Sequence, residues 1–110
     1  MRSEELNIAK TESLFREVNE RIAEKAERIG AQDAELVCEC ADPECGKRIE
    51  TPLTDYERTR ADGTRFLVAP GHEKPEYEEV VRIRPGYRIV DKLRSVGTVA
   101  RRLNPRSETA

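Results

Sequence analysis

The sequence predicts an α+β domain in which a long N-terminal helix packs on a small, mainly antiparallel sheet. Apolar residues recur at steps of three and four over residues 11–29, which is typical of an amphipathic helix. Short apolar runs bounded by Asp-Gly and Pro-Gly pairs follow, and they predict strands joined by tight turns. At 110 residues the chain matches one typical domain, and 38% charged against 36% hydrophobic residues predicts a small, polar core.

The first element is a helix over residues 11–29. Thr11 or Ser13 can cap its start, and Gly30 can end it in a left-handed conformation. Residues 1–10 show no apolar spacing, so we expect a flexible N-terminus followed by one folded domain over 11–94. The predicted core side of the helix consists of Phe15, Val18, Ile22, Ala26 and Ile29. The charged side, expected to face solvent, includes Arg16, Glu17, Glu20, Arg21, Glu24, Lys25, Glu27 and Arg28.

A hairpin follows, with predicted strands over 35–40 and 47–51 joined by a turn at Asp42-Pro43-Glu44. Thr54 and Glu57 have the spacing of a capping box, which predicts a short helix over 55–61 with Tyr56 facing the core. An Asp-Gly turn then leads into a brief apolar strand over 66–68.

Two further strands, over 78–84 and 87–93, meet at Pro85-Gly86. The pair alone indicates a two-residue turn, but placing Val81 and Ile83 on the same face as Tyr87 and Ile89 needs three residues, so the register stays open. Either register puts Arg82 and Arg84 on one strand face, opposite Val81 and Ile83. Residues 95–110 are expected to form a weakly structured basic tail.

Three cysteines lie within eight residues of the predicted hairpin. Cys38 and Cys40 are two apart, so both side chains leave the same strand face, and the turn can return Cys45 to them. Gly46 allows backbone amides to approach a thiolate. Zinc prefers four tetrahedral nitrogen or sulfur ligands, and His72, on a Pro-Gly turn, is the one histidine of the chain. We therefore predict a Zn²⁺ site made of Cys38, Cys40, Cys45 and His72, which clips the hairpin.

Other interpretations of the thiols stay open at this point. They can be reduced structural or redox-active cysteines, or a three-cysteine set with an open coordination position. Glu39, Glu44 and Glu73 lie near enough in sequence to act as a general base at an open site. No recognised catalytic motif surrounds them, so we predict no catalytic residue and a closed, structural metal.

The charge is unevenly distributed along the chain. Residues 1–79 carry 12 Lys+Arg against 20 Asp+Glu, and residues 80–110 carry 8 against 2. The basic end can therefore lie against the acidic helix, or it can form a positive surface for phosphates. The candidate nucleic-acid-binding residues are Arg82, Arg84, Arg88, Lys92 and Arg94, with Arg101, Arg102 and Arg106 behind them. Stacking aromatic residues are scarce, so we expect a protein partner before a nucleic acid.

Five segments of the chain carry a family resemblance. They are FREVNERI at 15–22, VCECADPEC at 37–45, DYERTR at 55–60, RFLVAPGH at 65–72 and YRIVDK at 87–92. Together they resemble a family of short proteins from high-GC, actinobacterial-type bacteria with a C-x-C-x₄-C and a P-G-H pattern. The resemblance covers about residues 15–93. It implies a bacterial origin, and it brings neither an activity nor a metal.

The cellular setting follows from composition. No apolar run approaches the roughly 20 residues that cross a bilayer, and three crowded cysteines make a poor disulfide framework. We expect a cytoplasmic protein with reduced thiols and no membrane contact. The predicted function is a non-catalytic, zinc-stabilised module that binds or regulates another protein. The alternatives are a nucleic-acid-binding protein and a zinc-thiolate redox sensor.

Overall fold

A computed structural model describes residues 3–93 and Arg106. The elements in chain order are α1 (Ser3–Arg28), β1 (Asp33–Val37), β2 (Arg48–Pro52), α2 (Leu53–Arg60), β3 (Arg65–Val68), β4 (Glu78–Arg84) and β5 (Tyr87–Lys92). This confirms the α+β class with a long N-terminal helix. The strands form two small antiparallel sheets, one of order β1-β2 and one of order β3-β5-β4.

Helix α1 begins at Ser3, eight residues before the predicted start at residue 11, so the described part of the N-terminal segment is helical. The flexibility expected for residues 1–10 stays a prediction. Ile8 and Ala9 are buried, and they extend the packed side of the helix about one turn beyond the predicted start. The end of α1 agrees with the prediction. Gly30 has φ +77°, and the amide of Ala31 reaches back to the carbonyl of Ala26 at 2.9 Å, which is the geometry of a Schellman cap.

The buried side of α1 differs from the predicted apolar side. Val18 is 39% exposed and Ile29 is 73% exposed, whereas Arg16 is fully buried instead of facing solvent. Half of the buried side is polar, and this side comprises Ile8, Ala9, Glu12, Ser13, Arg16, Asn19, Ala23 and Ala26. Hydropathy spacing assigns such residues to the surface, and it misses them because each one finds a polar partner inside the fold.

Strands β1 and β2 pair antiparallel, with Asp33 opposite Pro52 and Val37 opposite Arg48. Strand β1 ends at Val37, so the prediction that Cys38 and Cys40 lie on the strand is wrong. Pairing with the return segment nevertheless continues for one step, because the Cys38 amide donates to the Lys47 carbonyl at 2.8 Å. The cysteines therefore begin the loop at the open end of this hairpin.

The second sheet settles the register at Pro85-Gly86. Arg84 pairs with Tyr87, so the turn has two residues, and Gly86 at φ +85° takes its left-handed position. A bulge between Val80 and Arg82 inserts one extra residue into β4. The pairing of β4 with β5 is therefore shifted by one residue on the two sides of the bulge. Ile83 is 69% exposed, and it does not enter the core.

The two sheets meet beside the cysteines. The amide of Glu39 donates to the carbonyl of Leu67 on β3 at 2.7 Å, and the Leu67 amide donates back to the Glu39 side chain at 2.9 Å. Helix α2 closes the core with Tyr56, which is fully buried as predicted. Its N-cap residue is Pro52 and no side chain caps it, so the predicted capping box from Thr54 is wrong.

Within residues 3–93 and 106, no helix is both long and apolar enough to cross a membrane. Arg94 and the predicted tail lie outside the described residues, apart from Arg106.

Candidate metal centre

The structure brings the four predicted metal ligands together. One ligand atom from each of Cys38, Cys40, Cys45 and His72 lies within 4.8 Å of the other three. Cys38 and Cys40 are buried, whereas Cys45 and His72 are partly exposed. Three sulfur atoms and one imidazole nitrogen thus surround a common point at the junction of the two sheets.

Two nitrogen–sulfur distances are those expected around a tetrahedral metal ion such as zinc. Nδ1 of His72 lies 3.5 Å from Sγ of Cys38 and 3.4 Å from Sγ of Cys45. Tetrahedral coordination with ordinary zinc–sulfur and zinc–nitrogen bonds places such atoms about 3.5 Å apart. Nδ1 is therefore the imidazole atom that would ligate. The donor set also matches the thiolate and imidazole ligands of structural zinc.

A tight loop carries Cys40 round to Cys45. The amide of Cys45 donates to the Asp42 carbonyl at 3.1 Å, and the amide of Glu44 donates to the Asp42 side chain at 2.9 Å. Pro43 fixes the first central position of this turn. Gly46 follows at φ +55°, a left-handed conformation that returns the chain towards β2. The predicted turn at 42–44 is confirmed.

A second turn positions His72. Strand β3 ends at Val68, and the amide of His72 donates to the Ala69 carbonyl at 3.0 Å across Pro70-Gly71. Gly71 has φ +86°, which a type II turn requires at its third residue. The imidazole is thereby brought from the end of the three-stranded sheet to the cysteines that follow β1.

Backbone amides donate to the cysteine sulfur atoms. The Ala69 amide lies 3.1 Å from Sγ of Cys38, and the Lys47 amide lies 3.5 Å from Sγ of Cys45. The Asp42 amide also hydrogen-bonds Cys40. Such donors stabilise thiolate over thiol, and they orient the sulfur atoms towards one point.

The thiols differ in proton affinity. A hydrogen bond from the Cys38 thiol, with help from His72 and the Asp42 amide, lowers the pKa of Cys40 to about 5 against the opposing effect of burial. The same sulfur–sulfur hydrogen bond and burial raise the pKa of Cys38. Burial raises the pKa of Cys45. The contacts therefore favour the thiolate form at Cys40 and the thiol form at Cys38 and Cys45, so that binding of a metal ion by all three sulfur atoms would release protons.

The three glutamates weighed as general bases are placed differently. Glu39 is fully buried, and its carboxylate accepts hydrogen bonds from Asn19 at 2.7 Å and Arg60 at 3.2 Å. These partners hold Glu39 in the polar interior. Glu44 is exposed on the loop, and Glu73 lines a cleft of about 270 Å³ beside Cys40 and His72.

Sequence reasoning missed a residue behind the site, Asn19 of α1. Its side-chain amide donates to the Val37 carbonyl at 2.8 Å, and its oxygen accepts from the Val37 amide at 2.8 Å. Asn19 thus pairs with the backbone immediately before Cys38, as a neighbouring strand would. No sequence signal marks it, because an asparagine in a helix is ordinarily a surface residue.

The predicted basic surface is dispersed in the structure. Lys92 is buried against Glu12 and Glu78, and Arg84 lies 3.0 Å from Asp55. The guanidinium of Arg88 donates to the carbonyls of Arg84 and Tyr87. Arg82 is exposed on β4. Lys92 is not available to a phosphate in this conformation, and nucleic-acid binding stays an untested prediction.

Comparisons with protein-family models, with curated proteins and with solved structures found no match to this chain. The resemblance to short actinobacterial-type proteins therefore stays a prediction. Any functional conclusion has to come from the site itself.

Proposed function

We propose that this protein is a non-catalytic zinc-binding domain that binds or regulates another protein. Four ligand atoms within 4.8 Å of one another, from Cys38, Cys40, Cys45 and His72, carry the proposal. They come from two segments that are far apart in sequence, so one ion would join two parts of the fold.

Zinc fits the donor set better than other common metals. Thiolate ligands exclude Mg²⁺ and Ca²⁺, which take oxygen. A tetrahedral set of three sulfur atoms and one nitrogen is a frequent structural zinc arrangement. Four protein ligands complete the coordination of zinc and leave no position for a substrate, so the role supported is structural.

A structural metal ion would also add stability to a fold whose interior contains many polar side chains. Many charged or polar side chains are buried, among them Glu12, Arg16, Glu39 and Lys92, and five of the buried hydrophobic residues among those described are alanines, which bury little apolar surface. A zinc ion would hold the loop after β1 to the turn after β3, and its binding free energy would add to folding free energy.

Metal content and stability of matched variants test the proposal. We expect the purified wild type to contain one zinc per chain, and Cys40→Ala and His72→Ala to lose most of it. Both should unfold at lower denaturant because the metal stabilises the folded state. Glu44→Ala, an exposed change in the same loop, is the control and should keep the zinc. Unchanged zinc stoichiometry in both ligand variants would rule the assignment out.

A further inference from the structure

We propose that the notch between α1 and α2 is a binding site for an arginine side chain of a partner protein, and that the chain's own Arg106 occupies it as an intramolecular competitor. Glu20 of α1 and Glu57 of α2 form its two walls. This inference is independent of the metal centre, whose ligands follow β1 and β3.

Each of the two glutamates makes two hydrogen bonds to the guanidinium group of Arg106. Nε of Arg106 lies 2.5 Å from one oxygen of Glu20, and NH2 lies 3.1 Å from the other. On the opposite side, NH1 and NH2 lie 2.9 and 3.0 Å from the two oxygens of Glu57. Each carboxylate therefore binds one edge of the planar fork.

A hydrogen bond from a buried residue fixes the Glu20 side of the notch. The hydroxyl of Tyr56, a fully buried residue, donates to Glu20 at 2.6 Å, which fixes the Glu20 carboxylate before any guanidinium binds. The side chain of Glu20 is only 18% exposed. Hydrogen bonds to Glu57 and then to Glu20 raise the pKa of Arg106, so the guanidinium stays charged. A carboxylate held in this way is prearranged for its ligand.

The geometry selects arginine over lysine. A guanidinium presents five donors in one plane and can make two parallel hydrogen bonds to each carboxylate, whereas an ammonium is a compact point charge without this planar fork. A cavity of about 260 Å³ remains beside the bound guanidinium, and Ala23, Glu24 and Glu27 line it together with Glu20, Glu57 and Arg106. The further glutamates give the rim a negative potential that attracts basic segments.

The contact with Arg106 is suited to exchange. The side chains of Arg106 and Glu57 are 37% and 45% exposed, and ion pairs with this exposure contribute little and weaken in salt. A tethered ligand competes with an effective concentration on the order of millimolar. A partner segment that places an arginine in the notch and adds contacts outside it would displace Arg106.

Peptide binding to variants of the full, zinc-loaded chain tests this site. The probe is a fluorophore-labelled, capped peptide with the sequence of residues 103–107, Leu-Asn-Pro-Arg-Ser. We expect Arg106→Ala to bind it about two- to five-fold tighter than the wild type in low salt, because the tethered competitor is gone. Adding Glu57→Gln to Arg106→Ala should weaken binding about five-fold or more, and 0.5 M salt should abolish it.

Two controls separate a guanidinium site from general charge attraction. Arg82→Ala removes an exposed arginine on β4 and should bind the peptide as weakly as the wild type. A peptide with lysine in place of arginine should bind Arg106→Ala several-fold more weakly. The proposal is overturned if Arg106→Ala binds no tighter than the wild type, or if the lysine peptide binds equally well. Sedimentation of the wild type as a dimer and of Arg106→Ala as a monomer would assign Arg106 to a second copy and overturn intramolecular occupancy.

Discussion

Buried polar side chains in this protein act as structural connectors. Asn19 pairs with both backbone groups of Val37, and Glu39 accepts from Asn19, from Arg60 and from the Leu67 amide. A buried polar group without a partner costs about as much as a lost hydrogen bond, so each of these residues depends on the others. The loop that begins at Cys38 is positioned by this network.

Replacing Asn19 should therefore be costly. We expect Asn19→Ala to lower the free energy of unfolding by about 2–4 kcal/mol, because it removes three hydrogen bonds and leaves the Val37 amide and carbonyl unsatisfied. Asn7→Ala, at an exposed position of the same helix, should change it by about 0.5 kcal/mol or less. Urea unfolding of both variants measures the difference, and equal effects would contradict the role of Asn19.

Glu12 makes stability depend on pH. Burial raises the pKa of Glu12 from 4.5 to about 7, although Lys92, whose Nζ lies 2.5 Å from the carboxylate, opposes the rise. Charge repulsion from Glu78, which contacts the same lysine, and from Cys40 raises the pKa of Glu12 further. Because the folded pKa exceeds the unfolded one, the stabilising contribution is complete below about pH 4.5 and is lost as the pH rises through about 7.

Comparison with Glu12→Gln isolates this contribution. From pH 5 to pH 8, the free energy of unfolding of the wild type should fall relative to that of Glu12→Gln by about 2 kcal/mol. Urea titrations at both pH values, with saturating zinc, measure the change. If the two proteins respond to pH in parallel, Glu12 is not the group responsible.

The clustering of the candidate metal ligands was the feature most readily predicted. Cysteine and histidine are uncommon in this chain and their chemistry is narrow, so Cys38, Cys40, Cys45 and His72 could be grouped from spacing and turn signals alone. Glu12, Arg16 and Asn19 could not be assigned to the interior. Their partners lie on β5, in the loop after α2 and on β1, and only the tertiary fold brings these together.

At the level of elements, helix α2 illustrates how tertiary contacts replace local ones. Its start lacks a side-chain cap, and its first turn is held from outside by Asp55. The Asp55 carboxylate accepts from the Tyr87 hydroxyl and from Arg84 Nε, at 3.0 Å for the latter. This ties α2 to the turn between β4 and β5.

If a local capping box stabilised the start of α2, replacing Thr54 would cost more than replacing Asp55. The contacts of Asp55 with Tyr87 and Arg84 predict the opposite order. We expect Asp55→Ala to lower the free energy of unfolding by about 2–3 kcal/mol, since it leaves the buried Tyr87 hydroxyl and Arg84 without their acceptor. Thr54→Ala should stay within about 0.5 kcal/mol, because the threonine is exposed and caps nothing. Denaturant melts compare the two. A larger loss for Thr54→Ala would restore the capping-box interpretation.

Element bounds followed well from turn residues. Gly30, Pro70-Gly71 and Pro85-Gly86 all end or join elements as their backbone preferences predict. The bulge between Val80 and Arg82 could not be foreseen, because it depends on how β4 meets β5. The division of the strands into two sheets has the same origin, since pairing between distant strands leaves no local pattern.

In the folded molecule, basic residues from the C-terminal part of the chain contact acidic residues from the rest of the chain. Arg106 from the basic end lies against Glu20 and Glu57 of the acidic part, and Lys92 lies buried between Glu12 and Glu78. Within the described residues, part of the predicted positive surface is therefore neutralised internally. At the notch around Arg106, an arginine of a partner protein can take the place of Arg106.

The four candidate metal ligands come from both sheets of the molecule. Cys38, Cys40 and Cys45 belong to the β1-β2 hairpin, and His72 belongs to the turn after β3. Alongside them, protein contacts between the sheets include the Glu39–Leu67 pair. An ion at the junction would fix the relative position of the sheets, which is the central claim of the structural account.

X-ray absorption at the zinc edge of the purified protein tests this claim most directly. The account predicts one zinc per chain with three sulfur neighbours at about 2.3 Å and one nitrogen at about 2.0–2.1 Å. In His72→Ala, any zinc that remains should show the same sulfur shell with the imidazole signal gone. A first shell dominated by oxygen, or an imidazole signal that persists in His72→Ala, would contradict it.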